Sequence, residues 1–281
     1  MDYLFLFNII TAALHFIQAL LVRALASNIS ATQPKATPFG GSRFGVVKPV
    51  IGYDRNSSSI SFTFKDEGYY DVVNLIMWFF LLSALFQSVA VSLSWRWLRF
   101  IEYSFSASAM LICIAVEAGV RDLYTLRCIA VLMWITQLLG LMAEYISHLS
   151  LRVREGIEWH WTLPHVAAWV TCIAAYAPAL DAFIENQDKA PDFVRWMIYL
   201  ELLLFMSFGA VQLYGLTRKS MLEAVVVYVE CHTHGHLVEG ADTAALDSID
   251  TTCEYAYTTL SLVAKTLLGW IILSPILAAN A

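Results

Sequence analysis

The chain has 281 residues, 59% of them hydrophobic and only 14% charged, with a net charge of −6. A soluble domain carries about 25% charged residues, so the composition excludes an ordinary water-soluble protein. Nucleic-acid partners need basic patches, and the acidic balance excludes them.

A helix needs about 20 mostly apolar residues to cross the hydrocarbon of a bilayer. The sequence offers seven such runs, and irregular backbone cannot face lipid, so the whole chain, 1–281, is predicted to be one all-α, seven-helix membrane bundle. The first run, about 3–25, follows "MDYLFLFNII", which lacks the basic start of a cleaved signal and therefore reads as a retained span. A polar insert of about 27–70 comes next. Its segments "RFGVVKPVIGY" and "SSISFTF" alternate β-branched and aromatic residues between Pro and Gly, which predicts a small β-hairpin capping the bundle.

Spans two and three are expected at about 72–94 and 97–119. Span three carries Glu102 near its start and Glu117 toward its end, with Ser106 one turn after Glu102. Arg99, one turn before Glu102, is placed at the interface, where a long cationic side chain snorkels to water. Span four, about 126–149, ends near Glu144. Span five, about 162–181, carries Trp169 at mid-depth, and Trp159 and Trp161 before it read as an interfacial aromatic belt with Trp196.

Span six, about 194–217, contains "RWMIYLELLLF", with Glu201 two turns in and Phe205 one turn deeper. The stretch 218–255 is read as extramembrane: span six continues as helix, then loosens into an acidic loop. Within it "CHTHGH" (Cys231, His232, His234, His236) lacks a completing carboxylate motif and reads as a solvated loop, so no metal is expected. The five cysteines form no close-spaced framework. Short-loop Lys and Arg decide orientation. Arg96, Arg99, Arg152, Arg154, Arg218 and Lys219 lie on the side of the N-terminus, against Arg121, Arg127, Lys189 and Arg195 on the other. The balance points to a cytoplasmic N-terminus and, across seven spans, an extracellular C-terminus.

Span seven, about 256–278, places Lys265 in mid-membrane, a position that costs roughly 2.5–3.5 kcal/mol even on insertion scales. Such a lysine can pair with a carboxylate, lose its proton, or be consumed in an imine. Spans three and seven run in the same direction. Helical side chains lean toward their own N-terminus, so the Lys265 stem points to the level of Glu102. Ser261 lies one turn before Lys265, on the same face. On the residues alone, a structural Lys–Glu pair in a seven-helix receptor or transporter and a cofactor site both stand.

"SLVAK" after "EYAYTTL", with "RFIEYSFSAS" in span three, "LHFIQ" in span one and "FFLLSAL" in span two, resembles the heliorhodopsin family of retinal-binding microbial rhodopsins. Other microbial rhodopsins carry aspartate where Ser261 stands. The resemblance implies all-trans retinal on Lys265 as a protonated Schiff base, Glu102 as its sole carboxylate counter-ion, a homodimer, and a photochemical switch rather than an enzyme. Members keep a polar cavity with a span-one histidine, matching His15, and a second histidine where "ALFQSVA" has Gln87, which cannot accept a proton. Trp169 and Phe205 are candidates to touch the polyene. Sensing through an unidentified signalling partner is the family expectation. Glu117, Glu201 and Glu144, flanking the retinal level, make light-driven proton movement a second one.

Overall fold

The computed structural model describes residues 3–26, 42–54, 59–93, 97–153, 159–233 and 241–278. In chain order they form helix α1 (Tyr3–Ala26), strands β1 (Arg43–Asp54) and β2 (Ser59–Asp71), and helices α2 (Val72–Leu93), α3 (Leu98–Ala118), α4 (Leu123–Val153), α5 (Thr162–Asn186), α6 (Asp192–Thr233) and α7 (Ala241–Ala278). All seven helices are long and apolar enough to cross a membrane. The side of the bundle where α1 and α3 begin is called the near side below, and the opposite side the far side.

Local chemistry sets the boundaries. Asp71 Oδ1 accepts the Asn74 N–H at 3.0 Å and Asp122 Oδ2 accepts the Thr125 N–H at 2.7 Å, so an aspartate satisfies orphan donors at the starts of α2 and α4. Gly119 ends α3 in the left-handed region at φ 114°, a conformation that side-chain-bearing residues adopt at a cost. Neighbouring helices pack in chain order from α1 to α5, α6 packs on α7, and α7 returns to α1 and α2. Helix α3 also meets α5 and α6, and it is the most buried of the seven. A central helix is the one place where polar groups escape lipid, and α3 buries Glu102, Ser104, Ser106, Ser108 and Glu117.

The two strands pair antiparallel, Arg43 opposite Asp71 through Asp54 opposite Ser59, with an irregularity at Val46/Val47. The predicted hairpin is therefore present, and its base enters the far end of the bundle. Phe44 and Val46 are buried there, the Val47 N–H donates to the Arg121 carbonyl at 3.0 Å, and the Arg121 guanidinium lies 4.6 Å from the Phe44 ring centre.

Three expectations are corrected. The acidic stretch read as a loop is helical from Ala241 onward. Leu246, Ile249, Asp250 and Cys253 turn inward at helical spacing, and Lys219 of α6 pairs with Asp250 at 2.5 Å. Burial against α6 thus overrides a composition that looks loop-like. Trp161 is not an interfacial belt residue: it is 2% exposed and donates its indole N–H to Ser220 Oγ at 2.8 Å. Arg99 does not snorkel, because two carboxylates meet it inside the protein, as described next. Trp196 is exposed at the start of α6; the Trp159 side chain lies outside the described residues, as do residues 234–240 and the side chains of Cys231 and His232.

Candidate functional site

Lys265 and Glu102 are each 2% exposed, and Lys265 Nζ donates to Glu102 Oε1 at 2.7 Å. The parallel course of α3 and α7 and the backward lean of the lysine stem bring them together. Ser261 Oγ accepts a second hydrogen bond from Nζ at 2.7 Å. A third partner comes from α2: the Ser83 hydroxyl lies 2.7 Å from Glu102 Oε1 and 2.9 Å from the Phe79 carbonyl. The Tyr103 ring centre is 5.1 Å from Nζ. Two desolvated charges are stable only with such satisfied geometry; removing one partner strands the other.

This knot stands on the wall of a cavity of about 850 Å³ of empty space, part of it open to the outside, enclosed by α3 to α7. Ligand pockets are mostly apolar with a few aimed polar groups. Ser106, Trp169, Phe205, Ser261 and Lys265 all line it. Ser106 is fully buried and its hydroxyl has no hydrogen-bond partner among the described atoms. A Cβ added at Gly209 would fall 2.4 Å from Trp169 Cζ2, so the absent side chain is what lets the indole lie against α6.

A polar chain closes the wall formed by α4, α5 and α6. Trp169 donates its indole N–H to His165 Nε2 at 3.0 Å. That makes Nε2 the acceptor, so Nδ1 carries the proton and donates to Gln212 Oε1 at 3.1 Å. Gln212 Nε2 donates in turn to the Gly140 carbonyl at 2.8 Å.

Toward the near side a second, polar cavity of about 350 Å³ shares Arg99, Gln212 and Tyr257 with the first. Arg99 Nη2 meets both oxygens of Glu144 at 2.7 Å, Nη1 pairs with Glu254, and the guanidinium lies 4.4 Å from the Tyr257 ring centre. Glu144 is thus held in an ion pair rather than aimed at the cavity around Lys265.

The other carboxylates lie apart from the knot. Glu117 is fully buried near the far end, within electrostatic reach of Arg121. Burial pulls the Arg121 guanidinium below its ordinary value, and the Glu117 charge opposes that shift. Glu201 is fully buried with neither oxygen hydrogen-bonded among the described atoms. His15 is buried 5.8 Å from the Phe80 ring centre, and among the described residues the buried Gln87 carbonyl oxygen meets no hydrogen-bond donor. No group of three His, Cys, Asp or Glu among the described residues is placed to hold a metal.

Sequence reading gave no role to Ser83, Tyr103, His165 or Gln212. Ser83 and Tyr103 stand inside the motifs "FFLLSAL" and "RFIEYSFSAS", but helical periodicity does not show which face of α2 meets Glu102. His165 and Gln212 are 47 residues apart and only the packing of α5 on α6 joins them. A family model described as heliorhodopsin matches residues 4–223, a range that includes Glu102 and ends before Lys265. No curated protein matches the chain.

Proposed function

The chain belongs to the heliorhodopsin family, an integral membrane family of light-sensing retinal proteins, and from that premise we propose that it binds all-trans retinal covalently through Lys265 with Glu102 as counter-ion. One observation carries the reading: a lysine amine, hydrogen-bonded at 2.7 Å to a single carboxylate, stands on the wall of a largely apolar cavity. The lining suits the group, with Trp169 and Phe205 offering aromatic faces and Gly209 making room for the indole.

Bound retinal supplies light absorption and a change of shape. The protein's own residues do the rest. Lys265 anchors and orients, and Glu102 balances a positive charge at Nζ in a medium where an unpaired charge is prohibitive. Ser83 and Ser261 hold the two in register. Moving Nζ away from Glu102 costs Coulomb energy that water cannot screen, so a proton shift to Glu102 or a nearby acceptor is the inexpensive response. His15, buried within electrostatic reach of Lys265, is the candidate acceptor; Gln87 is polar but cannot store the proton.

Glu201, buried on the far half without a hydrogen bond among the described residues, supports a further step: proton movement across the membrane, with Glu117 on the far side and Glu144 on the near side. Pure sensing through a signalling partner is the alternative, as is a structural Lys265–Glu102 pair with no chromophore. Illuminated, voltage-clamped cells separate the first two: a steady or transient photocurrent supports transport, and its absence with an intact visible band supports sensing. The charge asymmetry supports a cytoplasmic N-terminus, and the family supports a homodimer. Crosslinking in membranes tests the dimer, and accessibility of tags at either terminus tests the orientation.

A further inference from the structure

The cavity carries polar chemistry that a hydrocarbon-ringed retinal does not use. Lys265 lies on α7, which packs on α1, α2 and α6. The chain Trp169–His165–Gln212 lies on α5 and α6 against Gly140 of α4, and all three side chains line the same cavity as Lys265. A retinoid joined to Lys265 at its aldehyde end leaves its ring to be housed by the rest of the lining, which α4, α5 and α6 supply in part.

The proton directions along the chain are fixed by its first link, because an indole N–H can only donate. His165 is then fully committed: Nε2 accepts from Trp169 and Nδ1–H donates to Gln212 Oε1. Gln212 is not. Its amide has two N–H groups, one of which serves the Gly140 carbonyl, and its oxygen has two lone pairs, one of which serves His165. Among the described residues, one N–H donor and one acceptor site remain unused on a side chain that is 8% exposed and lines the cavity. Burying an amide with half its capacity unused is unfavourable, and the two cavities that Gln212 lines are the space in which a partner can meet it.

We propose that Gln212, held by His165 and Trp169, is a subsite for an oxygen atom on the retinoid ring, so that the preferred chromophore is an oxo- or hydroxy-substituted retinal. This rests on the retinal reading above. A ring ketone accepts from the remaining Gln212 N–H, and a ring hydroxyl can also donate to Oε1. A site with a committed hydrogen-bonding group discriminates against the analogue that lacks its partner.

The test is competition. Pigment-free full-length protein is offered an equimolar mixture of all-trans retinal and all-trans 4-oxoretinal, the Lys265 adduct is released chemically, and the two retinoids are quantified by chromatography. Wild type is expected to take up the oxo compound in roughly three- to tenfold excess, the worth of one neutral hydrogen bond. Gln212→Met, similar in volume but with no N–H, is expected to bring the ratio to one or below. A wild-type ratio at or below one overturns the proposal while leaving the retinal reading intact, and needs no variant to fold. A preference that persists undiminished in Gln212→Met overturns it too. If neither retinoid forms an adduct at Lys265, the retinal reading itself fails and the subsite with it.

Discussion

Gly209→Ala tests whether the cavity is shaped by the contact between α5 and α6. The added methyl would stand 2.4 Å from Trp169 Cζ2, 2.9 Å from Cε2 and 3.0 Å from Cη2, against an optimum of about 3.5–4.0 Å for carbon pairs. The indole must therefore retreat by about 1 Å. It is tied to His165 by a 3.0 Å hydrogen bond on one side and borders the cavity on the other, so retreat either breaks that bond or narrows the cavity. Overpacking costs about 1–3 kcal/mol and a lost hydrogen bond about 0.5–1.5, while replacing a helical glycine by alanine returns about 1. The net expectation is a loss of about 1–3 kcal/mol and weaker retinal uptake. Retinal titration and thermal bleaching measure both. Trp169→Phe removes the clashing ring atoms, so the double variant Gly209→Ala/Trp169→Phe should recover stability relative to Gly209→Ala alone. If Gly209→Ala matches or exceeds wild type in bleaching temperature and takes up retinal normally, the proposed packing of α5 on α6 is wrong.

Three further outcomes follow from the same geometry. Glu102→Gln leaves Lys265 without its only carboxylate and should destabilise the pigment-free protein by about 3–5 kcal/mol, read as a drop in the thermal midpoint in detergent, with loss or a large shift of any visible band. Glu201→Gln removes a carboxyl group that holds no hydrogen bond among the described residues, so it should leave the absorption spectrum unchanged while abolishing a photocurrent; an unchanged photocurrent removes Glu201 from the path. Phe44→Ala empties the far-end socket where Arg121 lies over the ring and should cost about 3–5 kcal/mol. Accelerated proteolysis of the β1–β2 hairpin, with the visible band retained, is the expected sign.

The parts of this fold legible in the sequence are those that lipid dictates. Seven apolar runs, the level match of Lys265 with Glu102, and a hairpin of alternating residues all follow from one-dimensional spacing. What spacing cannot supply is the third dimension of a bundle in which apolar residues face both lipid and core. Arg99 reads as interfacial because its sequence neighbourhood lies near a span end, yet Glu144 and Glu254 come from helices distant in sequence to meet it. The helix from Ala241 is hidden from one-dimensional reading because its inward Leu246, Ile249, Asp250 and Cys253 alternate with exposed polar residues, and the partners that bury them, Lys219 and the space left by Gly215, belong to α6. Ser83 carries no signal of its role in the sequence, since only the packing of α2 on α3 shows that it reaches Glu102.

The most direct test of the account is an absorption spectrum of the purified protein with all-trans retinal, wild type beside Lys265→Ala. The account predicts a visible band in the wild type and none in the variant, where free retinal absorption alone remains. The absence of a visible band in both proteins, or the same band in both, contradicts it: the first leaves Lys265 as half of a buried ion pair, and the second places the chromophore elsewhere.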